Sequence, residues 1–359
     1  MKRMFALTPL PAALLLRYLA SLRPAWVERL YAAGVYPWIA APASRLMSLC
    51  PVPVIEILLI IFVIFMITLF WKKRFFMILT ACGLVLALFF GGWGLNYFRL
   101  PLEETLDLPV RASTPEELAV LCDKLIEQAN ARYVPPPSTL TADMGKTAGE
   151  AMDAAAAQWP IPKGRFGRPK AALASPLLTR LMIEGIASPF TLEALVNGEI
   201  PAVSLPFAAC HEAAHVRGFA REEDANLVAY LACEASEDAF ARYSGSVCAL
   251  LYAMNALKGA GYERYLRCWE AISPEVAGDI AERSAFWSRY SGTKAAETAA
   301  WVNNAYLGVA GRGDQSARSY GRVVDLLLAL ARKGEGAGMS TASVSSNLSG
   351  ITRAPMVKP

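Results

Sequence analysis

At 359 residues the chain has room for one globular domain of ordinary size and a membrane region. With 55% hydrophobic and 18% charged residues it is too apolar for an average soluble enzyme. A net charge of +4 from scattered basic residues excludes the clustered basic face of a nucleic-acid binder, so no nucleic-acid partner is expected.

Residues 1–95 read as the membrane region. Phe5–Leu22 is expected to be a first transmembrane helix: Lys2 and Arg3 precede it, Arg17 interrupts its apolar run, and no small-x-small cleavage site follows. Arg23–Val52, with Trp26 and Trp38, is expected to be an interfacial loop rich in ring anchors. Val54–Trp71 and Phe75–Leu95 are long and apolar enough to cross a bilayer. The basic turn Lys72-Lys73-Arg74 between them resists translocation and so marks the cytoplasmic side. Three crossings then place everything after about Leu95 outside. Glu56, near the start of its helix, reads as a solvated end-of-helix carboxylate.

Residues 96–332 have the composition of a folded domain. Thr114-Pro115-Glu116-Glu117 is a capping-box start for a helix to about Arg132, and a second helix is expected near Ala142–Gln158. Short apolar runs at Lys170–Ala174 and Phe190–Val196 suggest strands of a small sheet. Helices follow from Ser204–Phe207 onward, then about Glu222–Glu234, Tyr243–Leu257, Tyr262–Ala271, Pro274–Tyr290, Lys294–Leu307 and Ser316–Arg332. The tail, 333–359, is rich in Gly, Ser and Thr and is expected to be disordered. Seven cysteines contain no C-x-x-C pair, which removes zinc ribbons and thioredoxin-like sites, and burial is the default for each. Nothing in the sequence sets an oligomeric state.

The chain has two histidines, and they lie four apart in His211-Glu212-Ala213-Ala214-His215. On a helix that spacing stacks both imidazoles on one face, where they can share a tetrahedral ion, Zn2+ for this donor set. Glu212 points to the neighbouring side and is placed to take a proton from water as general base. With no further histidine, the third ligand must be a carboxylate or a cysteine. Cys210 would point about 100° away from His211 and reads as core. Gly218 lets the chain turn back, and Glu222, Glu223 and Asp224 open the next helix as the carboxylate candidates. The same cluster would also suit a helix N-terminus for its macrodipole alone. An oxyanion donor must be Tyr, Arg or Asn. Tyr230, Arg242, Tyr243, Asn303, Asn304 and Tyr320 are candidates. Val196–Ile200 could be an edge strand that aligns an extended peptide, or a turn.

Glu222-Glu223-Asp224-Ala225-Asn226 resembles the Glu-x-x-Ala-Asp pattern of gluzincin metallopeptidases, with Asn226 replacing the final Asp. That resemblance implies Glu222 as third ligand beside His211 and His215. It also implies that Asn226 orients a ligand histidine without adding charge, or that Asp224 takes that place. Ser204-Leu205-Pro206-Phe207 leading into the histidine motif, Arg217–Glu222, Ala229–Cys233, Tyr243-Ser244-Gly245, Trp301–Tyr306 and Arg318–Gly321 resemble a family of bacterial membrane proteins known as domain of unknown function 3810 and grouped with zinc peptidases. The resemblance covers most of the chain except the tail. It implies a mainly α protein: N-terminal transmembrane helices, then a zincin-like α+β domain with a small sheet and an active-site helix, held in the bacterial inner membrane. The expected activity is hydrolysis of peptide bonds in a peptide or protein substrate. The contrasting reading is a non-catalytic membrane protein that keeps a zinc-binding or peptide-binding helix. A structural site has no need of a base at Glu212, so that residue favours the enzyme.

Overall fold

The computed structural model describes residues 9–309 and 316–336. Two helices, α4 (Val54–Trp71) and α5 (Phe75–Gly92), are long and apolar enough to cross a membrane. Eighteen residues each give roughly 27 Å, close to the hydrocarbon thickness. Lys72-Lys73-Arg74 forms the turn between them, at the end remote from the domain. Helix α1 (Pro9–Leu22) packs along α5: Leu10 lies against Gly83, and Ala20 joins Leu95 and Val27 in one cluster. The expected start of this helix, at Phe5, lies outside the described residues.

The stretch expected as a loop before α4 is helical instead. It comprises α2 (Pro24–Trp26), a π-helical stretch (Val27–Val35) and α3 (Tyr36–Ser48). Pro37 has no N–H to give, and the widened turns before it end with the Tyr36 N–H donating to Tyr31 O, five residues back. Trp26 and Trp38 face outward, as ring anchors should, while Tyr36 is buried.

Helix α6 (Leu102–Thr105) leads to α7 (Pro115–Arg132), whose capping box between Thr114 and Glu117 is formed in full. Helix α8 (Leu140–Gln158) follows. The sheet is small, with β1 (Lys170–Ala171), β2 (Gly185–Ala187) and β3 (Ala194–Val196) in the order β1-β3-β2. Strand β3 is central, parallel to β1 and antiparallel to β2. Helix α9 (Ser175–Arg180) lies between β1 and β2 in the chain. Val196–Ile200 is therefore not an edge strand. Val196 ends the central strand, and Asn197 holds the next residues in a turn by donating to Thr179 Oγ1 and Ile183 O and accepting from the Glu199 N–H. The two edge strands are β1 and β2.

Helix α10 (Leu205–Val216) sits at the centre of the domain. Every one of its residues except His211 is buried, against β2 and β3 on one side and α8, α11 (Glu222–Ala235) and α12 (Ala239–Ala260) on the others. Helices α13 (Tyr262–Glu270), α14 (Pro274–Ser288), α15 (Lys294–Val309) and α16 (Ser316–Gly336) complete the order. Most of the tail expected to be disordered, 337–359, lies outside the described residues, while 333–336 belong to α16.

The sheet is also tied to the membrane helices. Glu193 accepts from the Val54 and Ile55 N–H groups at 2.9 and 2.8 Å, which caps the start of α4. Lys170 Nζ pairs with Glu193 at 2.6 Å and donates to the Met47 carbonyl in the last turn of α3 and to the Cys50 and Val52 carbonyls beyond it. Glu56, expected as a solvated carboxylate, instead accepts from the Ala174 N–H.

Candidate metal centre

His211 and His215 occupy successive turns of α10, and their Nε2 atoms stand 3.1 Å apart. The chain then reverses at Gly218, whose φ of +90° suits glycine; a Cβ there would stand 3.0 Å from the Tyr36 ring and 3.1 Å from Asn96 Oδ1. That reversal sets the first residue of α11, Glu222, opposite the imidazoles. Its carboxylate oxygens lie 3.2 Å from His211 Nε2 and 3.5 Å from His215 Nε2. His211, His215 and Glu222 form one group of potential ligands whose donor atoms all lie within 4.8 Å of one another. Glu223 and Asp224, the other carboxylates considered, do not join it. Asp224 Oδ1 accepts from the Leu102 N–H and Oδ2 pairs with Arg221.

Donors around a tetrahedral zinc with bonds of about 2.1 Å stand roughly 3.4 Å apart. The 3.1 Å between the imidazoles, and the 3.2 and 3.5 Å from them to the two Glu222 oxygens, lie near that edge length, so the residues fit the ion. His215 Nδ1 lies 2.7 Å from Phe219 O, so the proton belongs on Nδ1 and the Nε2 lone pair is free to face the centre. The Glu222 side chain is 45% exposed, which leaves the centre open to solvent on one side, as a reactive site requires and a closed structural site does not.

The electrostatics favour positive charge at this point. Burial pushes the Glu222 carboxyl up, but the two imidazoles outweigh it and hold the group well below the usual carboxylate range. Burial pushes His215 down, and the adjacent Glu222 charge more than reverses this, raising it to about 9. Groups that hold a proton this firmly between them also attract a cation.

Glu212 is buried on the side of α10 that faces β2. A Cβ on Gly185 would lie 2.6 Å from Glu212 Cγ and 2.7 Å from Oε1, so only glycine in β2 leaves room for this side chain. Burial raises the Glu212 carboxyl; the neighbouring imidazoles lower it, and Glu222 and Glu184 raise it further.

Neither expected support for His211 is present. Asn226 Oδ1 accepts from Tyr252 OH at 3.1 Å, Asp224 is engaged with Leu102 and Arg221, and His211 Nδ1 is buried without a partner among the described residues. The oxyanion candidates do not gather at the centre either. Tyr243 donates to Asp279, Arg242 to Ser236 O, Tyr230 lies beside the Arg132–Glu234 pair, and Asn303 and Asn304 are exposed on α15. The Tyr320 side chain lies outside the described part.

Sequence reasoning missed a second layer around the centre. Arg283 on α14 donates to Ser204 Oγ at 3.0 Å and to Glu184 Oε1 at 2.7 Å, which clamps the start of α10 to the residue before β2. Tyr252 packs against Phe207, one turn before His211, and reaches Asn226, one turn after Glu222. The C-terminal end of α10 is held by residues from the membrane-proximal segments. Trp93 Nε1 donates to His215 O at 2.9 Å, Tyr36 OH to Val216 O at 2.7 Å, and Arg99 Nη1 to Gly218 O at 3.0 Å. Arg99 is itself fixed by a salt bridge to Glu28 at 2.7 Å. These partners are 119 to 180 residues away in the chain, and no local signal marks them. Cys210 is buried, as expected of a core residue.

A family model described as a protein of unknown function (DUF3810) matches residues 31–328, most of the chain. No curated protein and no solved structure matches it.

Proposed function

The chain belongs to the DUF3810 family, and from that premise we propose that it is a membrane-anchored, zinc-dependent peptidase of gluzincin type. The observation that carries this reading is the convergence of His211, His215 and Glu222 at tetrahedral spacing on an open face, with Glu212 buried beside them. Zinc bound there supplies a Lewis acid that polarises a peptide carbonyl and brings the pKa of a bound water to about 7.

The protein's own groups then have defined tasks. Glu212 accepts the proton of the attacking water and returns it to the departing amine nitrogen. Its raised pKa suits both directions of that transfer. Phe219 O holds the His215 ring in the tautomer that leaves Nε2 as a donor atom. Gly185 keeps the Glu212 carboxyl in place against β2. In this reading α4 and α5 cross the inner membrane with Lys72-Lys73-Arg74 in the cytoplasm, and the domain lies outside.

Metal content and peptide cleavage of the purified full-length protein test the proposal. Glu212→Gln is expected to retain zinc and lose cleavage by about 10²- to 10⁴-fold, while Glu222→Ala is expected to lose zinc. Zinc retained in full by Glu222→Ala would move the third ligand elsewhere. A wild-type protein that holds zinc but cleaves no peptide would leave the non-catalytic reading.

A further inference from the structure

The two faces of the sheet have different neighbours. In the antiparallel pair, Gly185 stands opposite Val196 and Ile186 opposite Leu195, and paired residues share a face. Gly185 lies against Glu212, so its face belongs to the metal helix. The other face carries Leu195, which clusters with Ala172, Leu178, Ile183 and Ile55, the second residue of α4. Ile186 lies on that second face and is 42% exposed.

Around it other large apolar side chains are exposed. Leu173 is 63% and Leu177 55% exposed, and both flank Ala174, whose N–H binds Glu56 in the first turn of α4. Met182 is exposed between α9 and β2. Phe190 is exposed near the tip of the β2–β3 hairpin, three residues before the Glu193 carboxylate that caps α4. The segments that carry these five side chains are tied to the start of α4 through Glu193, Ala174 and the Leu195–Ile55 cluster, and Ile57 and Leu58 in the first turns of α4 are themselves exposed. Just before β1, exposed Lys163, Arg165 and Arg168 sit on a loop tied to α3 by the Gly167 N–H donating to Ser44 Oγ.

We propose that Leu173, Leu177, Met182, Ile186 and Phe190 form a ridge seated in the headgroup–acyl boundary of the bilayer from which α4 emerges. The inference rests on the reading of α4 and α5 as membrane-spanning. The apolar ridge adds burial in the acyl region, and the adjacent cationic loop meets anionic headgroups, the usual division of labour in interfacial anchoring. The free edge of β2, next to Glu212, then opens along the membrane surface, where it meets peptide segments lying at the lipid–water boundary.

The test uses full-length protein in vesicles of phosphatidylethanolamine and phosphatidylglycerol, in a Cys50→Ser, Cys82→Ser background. Single cysteines replacing Leu177, Ile186, Ile61 in α4, or exposed Val120 on α7 carry an environment-sensitive fluorophore, with lipids doxyl-labelled near the headgroup as quenchers. Labels at 177 and 186 are expected to shift to the blue and be quenched several-fold more than the label at 120. If 177 and 186 behave like 120 while 61 reports lipid, the ridge proposal is wrong and the spanning reading stands. If 61 also reports water, both are wrong.

Discussion

Replacing Gly185 by alanine probes the link between sheet and chemistry with a single carbon atom. The new Cβ would stand 2.6 Å from Glu212 Cγ and 2.7 Å from both Glu212 Oε1 and Leu195 O. Carbon atoms in contact prefer about 3.5–4.0 Å, so roughly 1 Å of overlap must be relieved. Leu195 O belongs to the central strand and has nowhere to go, which leaves movement of β2 or of the Glu212 side chain. Either displaces the carboxylate by about 1 Å, a misplacement worth on the order of 10² in rate. The overlap should also cost about 1–3 kcal/mol of stability. The three atoms nearest the new Cβ belong to Glu212 and Leu195 and not to His211, His215 or Glu222, so zinc content should be unchanged. Steady-state cleavage of a peptide, with zinc measured on the same preparation, reads the result. Gly278→Ala on α14, where a Cβ meets nothing within 4 Å, is the matched control and should leave kcat as it was. Wild-type kcat in Gly185→Ala would refute the placement of Glu212, and loss of zinc would show that the disturbance is not confined to it.

Trp93→Phe removes one of the two donors to His215 O and leaves that carbonyl with the Gly218 N–H alone, at a cost of about 0.5–1.5 kcal/mol. Thermal unfolding and competition with a chelator should both register it, the latter as zinc affinity lowered by about tenfold or more; unchanged values in both would remove Trp93 from the support of the site. Glu117 is held down to about 2 from its ordinary value of 4.5, first by the Thr114 N–H and then by Arg332 and Arg111. A depressed acid stabilises the fold above its unfolded pKa and loses that contribution as pH falls through the folded one. Glu117→Gln should therefore lower Tm at neutral pH, with the gap to wild type closing between pH 4.5 and 2. A gap that does not change across that window would contradict the assignment.

Periodicity accounts for what the sequence made legible. The histidines four apart, the reversal at Gly218 and the carboxylates that follow pointed to the cluster of His211, His215 and Glu222 with Glu212 beside it, because these are local features of two consecutive helices. The capping box at Thr114 is local in the same sense, and it appears as expected. The sheet was legible only in outline. Its strands are two or three residues long, too short for an alternating pattern, and β2 depends on a glycine whose neighbour is a helix side chain. The helices before α4 were hidden by prolines: Pro24 and Pro37 stand in first turns, where a missing N–H is tolerated, and Pro42 within α3. The Arg283–Glu184 clamp and the Tyr252–Asn226 bond join residues distant in sequence, and such pairs leave no trace in a single chain's composition.

Besides the N–H groups of their own turn, the carbonyls at the end of α10 and just after it find donors in Tyr36, Trp93 and Arg99, all within the first hundred residues. A ribosome delivers those donors before the histidines exist, since synthesis runs from the N-terminus and earlier segments fold first. Folding of the N-terminal segments thus prepares a receptor for the helix that follows. The order of synthesis matches the contacts: donors first, then the helix end that receives them. A truncated version begun after Arg99 would keep His211, His215 and Glu222, but the end of α10 would have only the N–H groups of its own turn and none of these three side-chain donors.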